Sequence, residues 1–482
     1  MSTRFAKIVG TLGPSSSEEF EIKQLILAGL DVVRLNFSHG THDDHAKRIA
    51  LIRKLSEELA KPITILMDLQ GPKLRIGNLP GNKLNLIAGQ RVALSSIDEK
   101  ADVIDNQVTF IPFDVPRLHE ALIPGDHILL DDGQLEFEVT SLQGKAIYAN
   151  MILGGTLSSH KGVNLPNANL NIPVLTPKDI EDLEFGLLHD IDMVAISFVK
   201  DEDDISYVRR KISEILNSGE VIPIIAKIER PQAMKNLEGI IKIADGVMVA
   251  RGDLGVEMSP ALVPVAQKEI IRLANRHAKI VITATQMLDS MINNPRPTRA
   301  EAADVANAIF DGTDAVMLSG ETAAGKYPIQ SVSMMDGIVR EAECHFIEWG
   351  HLDEVTLEFK NDDAISISRA ARELAHDRDV AAIIVFTQSG RTAQWMSKAK
   401  PHVPIYAFTP DEKTYHKLGI LWGVTPLLVP HADTLETMIT HVETAITTST
   451  TLKPGDQVVV ISGFPVGEFR KPNLALLYTI KG

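Results

Sequence analysis

The residues best suited to chemistry lie in one stretch, Val221 to Glu257, which reads VIPIIAKIERPQAMKNLEGIIKIADGVMVARGDLGVE. Its pattern predicts strand, helix, strand and short helix. Two apolar runs, Ile222 to Ala226 and Gly246 to Ala250, are too short for surface helices and carry β-branched residues, so they are predicted to be buried strands. The first ends in Lys227, Ile228, Glu229 and Arg230, the second in Arg251, Gly252 and Asp253. In a parallel α/β barrel, chemistry sits at the C-terminal ends of buried strands. Glu229 and Asp253 are hard oxygen donors able to share one Mg²⁺, a metal that keeps waters and also takes phosphate oxygens. Lys227 is a compact cation of the kind that neutralises a transferring phosphoryl group. An ion pair capping two strand ends uses the same residue types, so this stretch alone leaves both readings open.

The neighbouring elements repeat the theme. A strand from Lys7 closes at Gly13-Pro14, and Ser15, Ser16 and Ser17 before Glu18 start a helix that ends near Gly29. Asp31 to Phe37 is a predicted strand with Arg34 and Asn36 on one face. A helix over His42 to Leu59 and a strand over Ile63 to Asp68 follow, the strand again ending in a carboxylate. From Pro173 the pattern gives a helix over Pro177 to Leu188, a strand over Asp192 to Phe198, and then the stretch above. Beyond it come a helix near Val263 to His277, a strand Ile280 to Ala284 ending at Thr285, and a helix Ala300 to Phe310. A strand Asp314 to Leu318 then runs into Ser319, Gly320 and Glu321. That makes about eight strand–helix units, the number that closes a (β/α)8 TIM barrel. Arg34, Asp68, Lys227, Asp253, Thr285 and Glu321 would then stand round one rim.

Residues 73–172 break this rhythm with short alternating runs between turns such as Pro124-Gly125-Asp126 and Asp131-Asp132-Gly133. They are predicted to form a small inserted β-barrel domain whose paired connections act as a hinge. Residues 1–72 and 173–345 would form the barrel, and residues 346–482 a C-terminal α/β domain. In the last, a helix over Ala364 to Ala375 and a strand over Ala382 to Phe386 lead into Thr387, Gln388, Ser389, Gly390, Arg391 and Thr392. Such a loop at a helix start can cradle phosphate, or can be ordinary N-capping. Lys plus Arg against Asp plus Glu is 48 against 63, a net charge of −15, which argues against general nucleic-acid binding. The single cysteine, Cys344, fits a reducing compartment. No secretory or membrane-length apolar run is read, so a cytoplasmic location is expected.

End to end, the chain resembles pyruvate kinase. The resemblance rests on VRLNFSHG (Val33 to Gly40), MDLQGPKLRIG (Met67 to Gly77), KGVNLP (Lys161 to Pro166) and AKIER (Ala226 to Arg230). It extends over MVARGDLGVE (Met248 to Glu257), ATQMLDSMINNPRPTRAE (Ala284 to Glu301) and DAVMLSGETAAGKYP (Asp314 to Pro328). It implies phosphoryl transfer from phosphoenolpyruvate to ADP, giving ATP and pyruvate. Arg34 and Lys227 would hold the phosphoryl group, and Glu229 and Asp253 would bind Mg²⁺ or Mn²⁺. Backbone N–H groups near Gly252 and Asp253, with Thr285, would take the substrate carboxylate at a short helix N-terminus. Thr285, Ser319 and Glu321 would serve the protonation of the enolate, and Arg75, His39 and Lys161 would contact nucleotide phosphates. The family's C-terminal domain binds an effector, and its members are usually homotetramers.

Three departures from the family's pattern matter. The family's K⁺ ligands match Asn36, Ser38 and Asp68, but Leu69 and Lys73 stand where K⁺-dependent members carry Thr and Glu. An ammonium can take the electrostatic place of a monovalent ion, so K⁺ is expected not to be required. Asn167 also replaces a usual Gly. The loop Gly463-Phe464-Pro465-Val466-Gly467 lacks the Trp-Arg pattern that closes over fructose 1,6-bisphosphate, so a sugar monophosphate or AMP is the expected effector. The rival readings are a Mg²⁺-dependent aldolase or lyase acting on pyruvate enolate, and a non-catalytic regulator that binds phosphometabolites. The first would need neither Lys161 nor an ADP site, and the second would be expected to lose Lys227 or a metal carboxylate.

Overall fold

The computed structural model describes residues 4–96, 108–115, 117–166, 168, 172–217, 219–350, 363–466 and 470–481. Asn167 and Gly467 lie outside them. Eight parallel strands close into a barrel. In chain order they are Lys7–Thr11, Val32–Asn36, Thr64–Asp68, Met193–Ile196, Ile224–Ile228, Gly246–Ala250, Ile280–Ala284 and Ala315–Leu318. Each pairs with its chain neighbour in the barrel, and the eighth pairs with the first, Lys7 opposite Ala315. Strands covered on both faces must be apolar on both faces. One parity, including Ile8, Val33, Ile65 and Val316, packs outward on the helices. The other, including Val9, Val32, Leu66, Ile225, Met248 and Ile282, fills the barrel.

Local chemistry sets the helix ends. Thr41, Thr176 and Thr298 each accept a hydrogen bond from the third residue of the helix they open, completing reciprocal capping boxes with Asp44, Asp179 and Glu301. Gly29, with φ 120°, ends helix Glu19–Ala28 in a conformation that Gly adopts most readily.

Three features differ from the sequence reading. The fifth barrel strand is Ile224–Ile228 rather than Ile222 to Ala226, because Pro223 has no N–H for the ladder. Lys227 is therefore a strand residue and not part of the following loop. Two short helices, Pro231–Lys235 and Leu237–Ile243, replace the single helix expected there. The sequence reading also passed over helices Glu202–Leu216 and Pro328–Cys344. In the first, charged residues dilute a stripe of buried Ile205, Val208 and Ile212.

Between the third and fourth barrel strands a second sheet of seven strands is inserted. It runs from Val163–Asn164 at one edge to Arg75–Ile76 at the other. A bridge between Arg75 and Gly162 brings those edges together, so this sheet is nearly closed. Ile111, Phe113, Phe137 and Ile147 fill it. The C-terminal α/β domain has a sheet of five strands, in which Leu474–Thr479 is antiparallel to Gln457–Ser462 and the other pairs are parallel.

Barrel interior and C-terminal domain share one apolar core, running from Val9 and Leu66 to Val385 and Leu418. Polar contacts frame it. Lys7 Nζ donates to the Val424 carbonyl at 2.8 Å, and Thr64 Oγ1 to the His416 carbonyl at 2.6 Å. Asp314, almost fully buried, receives Lys400 at 2.8 Å and also Lys398. Burial opposes the charge of Lys398 and brings its pKa down to about 8, although Asp314 favours the ammonium. No helix among the described residues is long and apolar enough to cross a membrane.

Replacing Asp314 by Asn would leave two buried ammoniums without their anion. Asp314→Asn is expected to lower the unfolding free energy by about 3–5 kcal/mol, measured by urea denaturation at pH 7.

Candidate active site

Strand parity builds the site. Thr11, Arg34, Asp68 and Lys227 continue the inward series of Val9, Val32, Leu66 and Ile225, so their polar groups meet above the apolar layers. Register brings them level: Thr11 is opposite Arg34, Asn36 opposite Asp68, and Asp68 opposite Ala195.

Asp68 is the centre of this cluster, with its side chain 1% exposed. Its Oδ2 accepts from Arg34 Nε at 2.6 Å, and its Oδ1 lies 3.3 Å from Lys227 Nζ. Arg34 Nη1 also donates to Thr11 Oγ1 at 3.0 Å. Lys227 Nζ donates to Ser197 Oγ at 2.8 Å and pairs with Glu229 Oε1 at 3.0 Å. The other Glu229 oxygen accepts the Phe198 N–H at 2.7 Å. Burial alone would raise the Asp68 pKa, but Arg34 and Lys227 outweigh it and hold the group below its usual range. Burial likewise works against the Lys227 ammonium; Asp68 and Glu229 override it and hold its pKa above the ordinary lysine value. Glu229 is pushed up to about 7 by burial, with the like charge of Asp253 adding to the shift and Lys227 opposing it.

Asp253 opens into the same space from helix Arg251–Glu257 and is half-buried. Its carboxylate has no hydrogen bond or ion pair among the described residues. Gly252 N–H donates to Thr285 Oγ1 at 2.8 Å, tying that helix to the seventh strand. Thr285 and Gln286 both have positive φ, 67° and 54°. Successive left-handed residues that are not Gly are costly, most of all a β-branched one. Arg251 secures them: its guanidinium donates to the carbonyls of Ala284, Thr285 and Gln286 and pairs with Asp304 at 2.7 Å.

The other expected site residues divide into groups. Glu321 is 1% exposed, and its oxygens accept the N–H groups of Leu288 at 3.1 Å and Ser319 at 2.8 Å. Ser319 Oγ is buried without a hydrogen-bond partner among the described residues. Lys161 and Arg75 sit on the inserted sheet, Lys161 paired with Asp131 at 2.7 Å and Arg75 donating to the His160 carbonyl at 2.9 Å. His39 is exposed, and its carbonyl bonds the His45 ring at 3.0 Å. Asn36 Oδ1 accepts the Ser38 N–H at 3.1 Å, and the Leu69 side chain is buried. Lys73 is exposed and has no ion pair among the described residues. In the C-terminal loop, Thr387 Oγ1 accepts the Gly390 N–H at 2.9 Å and Thr392 is buried, while Gln388, Ser389 and Arg391 face solvent. Sequence reasoning assigned no role to Ser197, Thr11 or Arg251. The first two carry the same signal as Arg34, a polar residue at the inward parity of a strand end.

Two part-buried cations that meet at Asp68, with Glu229 also on Lys227 and Asp253 left open, mark the rim of a barrel enzyme. A family model described as "Pyruvate kinase, barrel domain" matches residues 3–332, and one described as "Pyruvate kinase, alpha/beta domain" matches residues 365–477. A pyruvate kinase of Agrobacterium vitis is 43% identical over 464 residues, covering 96% of each chain. One from Geobacillus stearothermophilus is 42% identical over 99% of this chain and 80% of its own. One from Mycobacterium tuberculosis is 39% identical over 99% of both chains. The chain belongs to the pyruvate kinase family, and it is a phosphotransferase.

The Asp68 carboxylate has a stabilising charge in the folded state that is fully present above the ordinary Asp pKa of about 3.9 and is lost as pH falls through its lower folded value. Asp68→Asn is therefore expected to lose less stability than the parent chain between pH 5 and pH 2, read from thermal unfolding against pH.

Proposed function

We propose that this chain catalyses transfer of the phosphoryl group of phosphoenolpyruvate to ADP, giving ATP and pyruvate, the last step of glycolysis. The observation that carries the reading is the single buried Asp68 carboxylate that holds Arg34 and Lys227 together at the rim, beside unpaired Asp253. Phosphoryl transfer is mostly positioning and electrostatics, which is what two preorganised cations supply.

Glu229 and Asp253 suit Mg²⁺ or Mn²⁺. Both are carboxylates, Asp253 has no ion pair among the described residues, and its like charge adds to the burial that raises the Glu229 pKa. No group of three metal-binding side chains occurs among the described residues. A cation held by one or two carboxylates is completed by substrate oxygens. When bound, such a cation polarises phosphoryl and enolate oxygens.

Arg34 and Lys227 orient and neutralise the phosphoryl group, Lys227 then facing the enolate oxygen left behind. The backbone N–H groups of Gly252 and Asp253, with Thr285, hold the substrate carboxylate, which requires the Gly252 N–H to exchange the Thr285 hydroxyl for substrate. Thr285, with Ser319 and Glu321 behind it, delivers the proton through water. The inserted segment is a lid that brings Arg75 and Lys161 to the ADP phosphates, with His39 opposite.

K⁺ is not required in this reading. Leu69 offers no oxygen from its side chain, and Lys73 supplies a cation with no ion pair among the described residues. The loop Thr387 to Thr392 receives a phosphorylated effector, a sugar monophosphate or AMP, and regulation is allosteric. The chain works in the cytoplasm as a homotetramer. Self-association is supported by an apolar groove of about 1040 Å³ beside helix Pro328–Cys344, lined by Phe310, Ile329, Met334, Ile338 and Trp349.

Pyruvate formation from phosphoenolpyruvate is expected to depend on ADP and Mg²⁺ and to be indifferent to K⁺ in a tetramethylammonium buffer. Lys227→Met is expected to lower kcat about 100- to 1000-fold. Turnover without ADP would discard the reaction, and a strong K⁺ requirement at saturating substrate would discard the role given to Lys73. Trp349→Glu is expected to reduce the mass seen by light scattering; an unchanged assembly would remove the groove from the interface.

A further inference from the structure

The inserted sheet is tied to helix Arg251–Glu257 by one hydrogen bond and passes near it at Gly133. Asn164 Nδ2 donates to Glu257 Oε1 at 2.8 Å, and a Cβ placed on Gly133 would lie 3.8 Å from Val256 Cγ1. The connections to the sheet pair with each other: Ile76 N–H donates to the Lys161 carbonyl and Val163 N–H to the Leu74 carbonyl, both at 3.0 Å. Lys161 and Arg75 are therefore fixed to a ribbon whose far end is held by Asn164.

The polar bookkeeping at this junction is incomplete. Glu257 is 4% exposed, yet its Oε2 has no hydrogen-bond partner among the described residues. Arg230 Nε is also buried and unpartnered, and so is Gln232 Oε1, although Gln232 Nε2 reaches the Pro166 carbonyl at 3.4 Å. The Arg230 guanidinium lies over the Phe198 ring, 5.0 Å from its centre, and is near enough for its charge to act on Glu257. Buried groups without partners are costly, and such a cluster calls for an explanation. A carboxylate oxygen and a guanidinium nitrogen that each lack a hydrogen bond among the described residues at one junction would satisfy each other if either side chain moved.

We propose that Glu257 is a positioning residue that latches the lid by choosing between two partners: Asn164 of the returning lid strand in the arrangement seen here, and Arg230 of the barrel when the lid swings away. Asn164 holds the lid against the helix that carries Asp253, and Arg230 stabilises the released state. Glu257 itself touches no substrate. The inference rests on the reading of the inserted segment as a lid that carries nucleotide contacts.

The test is amide hydrogen exchange in helix Arg251–Glu257, the surface from which the inserted sheet would lift, in the full-length enzyme, alongside KM for ADP. Asn164→Ala removes the latch, so exchange is expected to rise about tenfold, as fits loss of a hydrogen bond to a charged group, with KM for ADP rising in parallel. Arg230→Met and Glu257→Gln weaken the released state, because the Gln side chain still accepts from Asn164 but has no charge for Arg230. Both are expected to exchange more slowly than the parent chain. A merely structural role would make all three variants exchange faster, and that result would overturn the latch, as would unchanged exchange in Asn164→Ala. Opposite signs in exchange with KM for ADP unmoved would support the latch and remove the nucleotide role of the lid.

Discussion

One carboxylate governs the rim. Asp68 is the only anion that touches both Arg34 and Lys227 among the described residues, and it does so with its side chain almost wholly out of water. Two cations brought together in a low dielectric would repel each other and lose their hydration. A shared anion between them offsets both costs and fixes their orientation before any substrate arrives. The pKa directions follow from this: Asp68 moves down and Lys227 up, each against the pull of its own burial. The charges are thus in place at neutral pH, so little reorganisation is left for the moment of reaction.

The barrel makes that placement affordable through its layering. On the first strand the inward series is Lys7, Val9 and Thr11, and on the third it is Thr64, Leu66 and Asp68. Each strand is polar at both ends and apolar between. The lower ends bond the C-terminal domain, at Val424 and His416, and the upper ends hold Arg34. Because the apolar middle is continuous with the core of the C-terminal domain, the bottom of the barrel is closed to water. The strands that carry the cations' partners are therefore anchored at both ends.

On the opposite side of the rim the backbone bears the cost. Thr285 and Gln286 sit in left-handed conformations, roughly 1–3 kcal/mol each for residues of this kind. Arg251 compensates by satisfying three successive carbonyls and anchoring itself to Asp304. The result is a Thr hydroxyl pressed on the Gly252 N–H, one residue from Asp253. Strain and compensation on adjacent strands keep this half of the site in a single arrangement.

Much of the fold was legible in the sequence because it obeys local rules. Runs such as Gly246 to Ala250 and Ile280 to Ala284 are strands at the expected bounds, since they are apolar on both parities and stop at charge. The eight-unit alternation, the β-rich insertion and the C-terminal α/β unit follow from periodicity and turn residues. So did the approach of Lys227, Asp68 and Arg34, which share strand-end positions. The family's motifs pointed to the same residues. What the sequence by itself determined is the kind of element each residue occupies and which parity it takes, because those depend on neighbours a few residues away. Only the tertiary structure decided which strand ends meet. It paired Asp68 with two cations, left Asp253 open, gave Arg251 to the Thr285 backbone, and set Asn164 on Glu257 across 93 residues of chain. Those choices depend on barrel register and on the packing of distant segments, which no local pattern encodes.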